Sequence, residues 1–146
     1  MKFLKLTQLV VLISLFAAFT SCDKDEEVNE PKSIEELLAG KWIGNEFYED
    51  GVLSQFNDIF KMSFIEFKTD GSGIYESPFG LQPLIWSYDN TTEKLRIESE
   101  VVDDGSGFTI DADIIEGAEI IKIDNSTLWY TYESDGVVIE ERYNKF

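Results

Sequence analysis

The side chains able to do chemistry in this 146-residue chain are carboxylates, phenols and one thiol. There are 29 Asp and Glu against 12 Lys and Arg, no histidine and a single cysteine, for a formal net charge of −17. Without histidine the commonest general base is missing, and with it the Ser-His and Cys-His pairs and the usual zinc and copper ligands. Gly71-Ser72-Gly73 and Gly105-Ser106-Gly107 are too short for a nucleophile elbow and sit in expected turns. No phosphate loop or dinucleotide fingerprint occurs. Carboxylates are so abundant that the closeness of any two says little about a glycosidase pair. Asp103-Asp104-Gly105-Ser106-Gly107, with Asp111 and Asp113, offers hard oxygens to calcium. Its spacing fits no EF-hand loop, and a hairpin turn beside a solvated acidic face accounts for it. The negative charge argues against nucleic acid, where Lys and Arg must neutralise phosphates. The expectation is a protein that is not an enzyme, with no metal and no cofactor.

The thiol has an expected use, against the alternative of an idle cysteine in a soluble exported protein. Lys2 and Lys5 precede the apolar run Leu9–Phe19, which is too short for a bilayer span of about 20 helical residues. It fits the apolar region of a secretory signal peptide. Phe19-Thr20-Ser21-Cys22 follows, an apolar residue and two small ones before the single cysteine. This resembles a bacterial lipobox. The resemblance implies that residues 1–21 are a lipoprotein signal peptide and that Cys22 is the lipidation site. Cys22 would carry a diacylglycerol and, after cleavage, a further acyl chain such as palmitate; two chains suffice for stable anchoring. Residues 22–32 are acidic and nearly devoid of apolar side chains, as expected of a flexible tether. Lys24-Asp25-Glu26-Glu27 resembles the acidic export signal of some Gram-negative lipoproteins. The implied address is the cell envelope, anchored in outer-membrane lipid and exposed at the surface; a solvated spacer facing the periplasm is the alternative.

The elements that must position everything else begin at Ser33. Ser33-Ile34-Glu35-Glu36 fits a capping box, and Leu37, Leu38 and Ala39 give an apolar side before Gly40. This predicts one short N-terminal helix. Beyond it, Asx- and Gly-rich turn signals recur: Glu49-Asp50-Gly51, Thr69 to Gly73, Asp89 to Thr92, Asp103 to Gly107, Glu116-Gly117, Asp124 to Ser126 and Ser134 to Gly136. The runs between them predict strands over 41–48, 61–68, 73–77, 84–88, 94–101, 108–114, 118–123, 127–133 and 137–143. Leu84, Trp86 and Tyr88 share one face; so do Leu95, Ile97, Ser99 and Val101, and so do Phe108, Ile110, Ala112 and Ile114. One apolar and one solvated face marks antiparallel sheet. Residues 49–61 read either as a strand extension or as a long loop at a barrel mouth.

Gly40-Lys41-Trp42 after a short helix, Phe64 to Gly73, Trp86-Ser87-Tyr88, Thr127-Leu128-Trp129-Tyr130 and Arg142 near the end together resemble the lipocalin-like domains of small Gram-negative lipoproteins. The acidic-and-Arg signature between the middle strands of lipocalins is missing. The resemblance implies an all-β fold for 33–146, a single antiparallel 8–9-stranded lipocalin-like barrel preceded by the short helix. It also implies a structural pair in which Arg142 packs over Trp42, a contact worth about 0.5–2 kcal/mol as a cation–π interaction. The alternative leaves Arg142 on an exposed strand face, paired with Glu140 or Glu133.

Tyr75, Trp86, Tyr88, Trp129, Tyr130 and Tyr132 are the candidates for a ligand pocket, against the alternative of ordinary core packing. Small barrels can hold one ligand, and pockets are mostly apolar with a few polar anchors. Periodicity does not decide whether Leu128, Tyr130 and Tyr132 or Trp129 and Thr131 face inward. The expected function is non-catalytic binding of a small hydrophobic or amphipathic ligand by a membrane-anchored monomer. The alternative is a surface module that binds a protein or glycan through its exterior or loops.

Overall fold

In the computed structural model the described residues are 31–103, 109–110 and 113–146. The expected signal peptide, Cys22 and most of the tether lie outside them. Helix α1 (Ile34–Leu38) opens with the capping box: Ser33 Oγ accepts from the Glu36 N–H at 3.2 Å, and the Ser33 N–H donates to Glu36 Oε2 at 2.8 Å. Eleven strands follow, interrupted by a second short helix. They are β1 (Gly40–Glu49), β2 (Val52–Leu53), β3 (Phe64–Phe67), β4 (Ser72–Ser77), β5 (Gly80–Asp89), β6 (Lys94–Ser99), β7 (Val102–Asp103), β8 (Thr109–Ile110), β9 (Ile114–Ile123), β10 (Thr127–Ser134) and β11 (Val137–Lys145). Helix α2 (Asn57–Phe60) lies between β2 and β3.

Eight strands run antiparallel in the order β1-β3-β4-β5-β6-β9-β10-β11, and β11 pairs with β1 to close a barrel. The short β2 adds to β1, and β7 pairs with β8 as a separate ribbon. The all-β antiparallel barrel implied by the resemblance is therefore present with eight strands; β2 extends its sheet, and β7 and β8 stand outside it. Closure removes the exposed edges that an open sheet would leave. Asp50 and Asp135, each followed by glycine, take left-handed φ of 48° and 53° in the two-residue turns joining β1 to β2 and β10 to β11. Asp-Gly is a strong hairpin signal for this reason.

Two expectations need correction. The strands predicted over 108–114 and 118–123, with a turn at Glu116-Gly117, are replaced by the short β8 and one continuous β9. Leu95 and Ile97 of β6 face Ala118 and Ile115, so β9 carries one extra residue there, and Gly117 takes φ 72°. The glycine makes a bulge, not a turn. A second register shift against β10 lets Ile120 and Ile123 both pack on the core while Ile121 is exposed. Ile114, expected on the apolar face, is exposed, as is Val101 beyond the end of β6. Phe108 and Ala112 lie outside the described residues. The second correction concerns 49–61. It is neither a strand extension nor an open loop, but a hairpin to β2 followed by α2. Helix α2 is seated against β1 at Gly44, where a Cβ would come within 2.1 Å of the Phe60 carbonyl oxygen. Only glycine allows that approach.

Candidate functional site

The barrel interior has two unlike ends. At the first, α1 lies across the opening. Leu38 and Trp42 are fully buried there, and Trp42 Nε1 donates to the Leu38 carbonyl at 2.7 Å. The residue facing Trp42 across β11 is Lys145. Its ammonium sits 4.0 Å from the indole centroid and donates to the Leu37 and Ala39 carbonyls at 3.2 and 2.7 Å. Burial lowers the Lys145 pKa. A cation here satisfies carbonyls that the helix end leaves open, and favours the negative end of its dipole.

The expected Trp42–Arg142 pair is thus corrected: Lys145 takes the place of Arg142. The reason is strand parity. Ile139, Glu141 and Tyr143 point inward along β11, so Arg142 between them points outward. A register shift between Gly44 and Glu46 sets Arg142 opposite Glu46. There the guanidinium binds Glu46 at 2.7 Å and Glu140 at 2.6 Å, and lies 4.5 Å from the ring centroids of both Tyr48 and Trp129. The exposed-face alternative, with Glu140 as partner, describes it.

Toward the second end the interior changes character. Glu141 is 8% exposed, a carboxylate inside the barrel. Its Oε2 accepts from the Tyr130 hydroxyl at 2.6 Å and from the Tyr143 hydroxyl. Its Oε1 accepts from Tyr132 at 2.8 Å. The Tyr130 and Tyr143 oxygens are 3.2 Å apart and their rings stack with centroids 5.7 Å apart. Among the described residues no Lys or Arg pairs with Glu141. Burial raises the Glu141 pKa, against the three hydroxyl donors that stabilise its anion. The same burial, reinforced by the carboxylate, pushes Tyr130, Tyr132 and Tyr143 well up.

A cavity of about 140 Å³ opens onto this cluster. Ile65, Leu84, Ile97 and Ile115 give it an apolar wall; Ser99 and Asp113 add polar groups. Asp113 is held by paired bonds with Ser99: its N–H donates to Ser99 Oγ at 3.0 Å, and its carbonyl accepts from the Ser99 N–H at 2.9 Å. A second cavity of about 270 Å³ shares Tyr75, Tyr132 and Glu141 with the first and is otherwise lined by Phe47, Phe56, Ile59 and Phe60. Helix α2 thus roofs this end. Phe60 packs on Tyr143 with centroids 5.0 Å apart and on Phe47 at 5.4 Å.

Of the six aromatic candidates, the structure brings Tyr75, Tyr130 and Tyr132 together around this space. Trp86 is 9% exposed and packs on Phe67 with centroids 5.3 Å apart; its Nε1 donates to the Lys68 and Ser72 carbonyls at 2.9 and 3.1 Å. It braces a turn. Tyr88 is half-buried against the core. Trp129 faces out, under Arg142 and with Lys122 Nζ 4.9 Å from its centroid. The inward face of β10 is therefore Leu128, Tyr130 and Tyr132. Glu141, Tyr143 and Lys145 escaped sequence reading. Their signal was present in the parity of Ile139, Glu141, Tyr143 and Lys145, but Glu140-Glu141-Arg142 reads as a solvated run.

No protein family matches the chain, and no curated protein matches it. Among solved structures it is similar to a DUF4847 family protein from Bacteroides vulgatus, with a TM-score of 0.52 and 16% identity. The match covers 77% of this chain and 97% of that one. At that identity the likeness shows the fold alone.

Proposed function

We propose that this protein is a lipid-anchored envelope protein whose barrel binds a small amphipathic molecule, without catalysis, in the cavity beside Glu141. The observation that carries the reading is the contrast of walls in the 140 Å³ cavity: aliphatic side chains on one side and a buried, hydroxyl-bonded carboxylate on the other. Binding sites combine an apolar lining with a few placed polar groups in this way. The lipocalin-like motifs and the lipobox at Cys22 support the same reading from the sequence, although fold alone does not give function.

Native mass spectrometry of the full chain tests the ligand. The protein, in mild detergent, is exposed to an extract of bacterial envelope lipids and small metabolites. A discrete adduct that is lost on denaturation is expected. A bare mass with every extract, soluble glycans included, contradicts the reading. The anchor has its own test. Expression in a Gram-negative host is expected to yield a chain beginning at Cys22 with added acyl mass, and Cys22→Ser to abolish both changes.

One observation favours a second reading, a surface module. Val52, Leu53, Phe56 and Met62 all lie between β1 and β3 and are 50–69% exposed. Substitution of these four should then abolish partner binding, while Tyr132→Phe should leave it unchanged.

A further inference from the structure

Beside the Gln82 amide and the hydroxyls of Tyr75 and Ser99, the polar groups around Glu141 are phenol oxygens placed as acceptors. A phenol has one proton to donate, and Tyr130, Tyr132 and Tyr143 all spend theirs on the same carboxylate. What they turn toward the cavity is oxygen lone pairs and ring faces. Asp113, also at the lining, places a second negative charge near Glu141. Among the described residues no cation balances Glu141 from within the barrel. A buried carboxylate without a counter-charge is poorly compensated, and a bound cation would complete it.

We infer that the cavity takes a small organic cation, a primary ammonium on a compact apolar body, with the ammonium seated against Glu141 and the tyrosine oxygens. This rests on the reading that the barrel interior binds a small molecule, and adds the ligand's charge. Tyrosine faces favour cations electrostatically, and more so where water is excluded. The wall of Ile65, Leu84, Ile97 and Ile115 suits the apolar body. Size is in keeping, because a cavity of roughly 150 Å³ accepts a benzene ring. The adjoining cavity behind Tyr75 and Tyr132 leaves room for a short chain. A net charge of −17 draws cations toward the molecule and repels anions before they reach the mouth. A neutral alcohol of the same shape would supply one donor and no charge.

The test compares three probes of one shape: phenethylamine, 2-phenylethanol and 3-phenylpropionate. Each is titrated calorimetrically into the full chain in non-ionic detergent near neutral pH. The amine is expected to bind at least about tenfold tighter than the alcohol, and the acid most weakly. Glu141→Gln should bring the amine to within about threefold of the alcohol. Should that variant fail to fold, the wild type still decides. From about pH 8 to about pH 4 the amine stays charged while carboxyls protonate, so amine affinity should fall and alcohol affinity should not. Burial holds Tyr75, Tyr130, Tyr132 and Tyr143 neutral across this range. Asp113 is the other carboxyl facing the cluster, and an Asp113→Asn variant should keep the pH-dependent loss. Equal affinity for amine and alcohol, or a loss abolished by Asp113→Asn, overturns the assignment of a cation to Glu141 while leaving small-molecule binding in place. Failure of all three probes overturns it too. The adduct experiment then decides separately whether the interior takes any ligand.

Discussion

The two ends of the barrel use the same kinds of residue to opposite effect. At the α1 end an aromatic, Trp42, is fully buried and capped by a cation that donates to helix-end carbonyls. At the α2 end aromatics gather around an anion and leave space beside it. The first arrangement closes on itself: the donor, the ring and the carbonyls all find partners within the chain. The second satisfies its hydroxyls but not its charge. The interior is saturated within the chain at one end, and acceptor-rich with space beside it at the other.

The sharpest way to break this comparison is to attack the closed end. Trp42→Ala should cost about 3–5 kcal/mol in denaturant unfolding, as for other large aromatics removed from a core. A loss below about 1 kcal/mol would mean that the closed end does not carry the stability assigned to it. Next in size is Glu141→Leu. It leaves three phenol hydroxyls without their acceptor, and each orphaned buried group costs roughly 1–3 kcal/mol, partly recovered by relief of the buried charge. A net loss of about 2–4 kcal/mol is expected from the same unfolding measurement. A stabilised variant would show that desolvation of the carboxylate outweighs its hydrogen bonds.

Two cations sharpen the comparison further. Lys145→Met removes the ammonium from Trp42 and from two carbonyls, for an expected loss of about 1–2 kcal/mol. Arg142→Met removes an outer-face pair and should cost less than about 1 kcal/mol. The reverse order would return Arg142 to the structural role that strand parity denies it.

The pH profile offers a smaller test. Glu141 has its pKa raised by burial from an ordinary value of 4.5. A carboxyl raised in the folded state favours folding when protonated; that contribution is full below its ordinary value and is lost as pH rises through the folded one. Asp70, Asp89 and Asp124, held low by their turn hydrogen bonds, act oppositely and lose their contribution as pH falls. Wild type should therefore lose stability relative to Glu141→Gln as pH rises above the ordinary carboxyl value of 4.5. Unfolding curves at several pH values would show it, and a constant difference would count against it.

Much of the fold was legible because local and global signals agree in it. The capping box at Ser33, the Asp-Gly turns and the alternation of Leu84, Trp86 and Tyr88 each rest on neighbouring residues. What was illegible depends on register. The bulges at Gly44 and Gly117 each add a residue to one strand, and such a shift reassigns side chains to opposite faces. The first is why Arg142 lies opposite Glu46, and the second is why Ile115 and Ala118 both pack inward. Glu141 and Lys145 share the inner face with Ile139 and Tyr143 through the unbroken alternation of β11 itself. The site was half visible. Tyr75, Tyr130 and Tyr132 could be named as aromatics of the right kind, whereas the carboxylate that joins two of them lay hidden in a charged run.

The claim that the interior has one closed end and one binding end is tested most directly by mapping a ligand onto the barrel. Backbone amide and tyrosine ring resonances would be followed by NMR while phenethylamine is added to saturation. The account predicts shifts concentrated at Tyr75, Tyr130, Tyr132 and Glu141, with Leu38, Trp42 and Lys145 unmoved. Shifts confined to the outer segment between β1 and β3, or centred on Trp42, would contradict it.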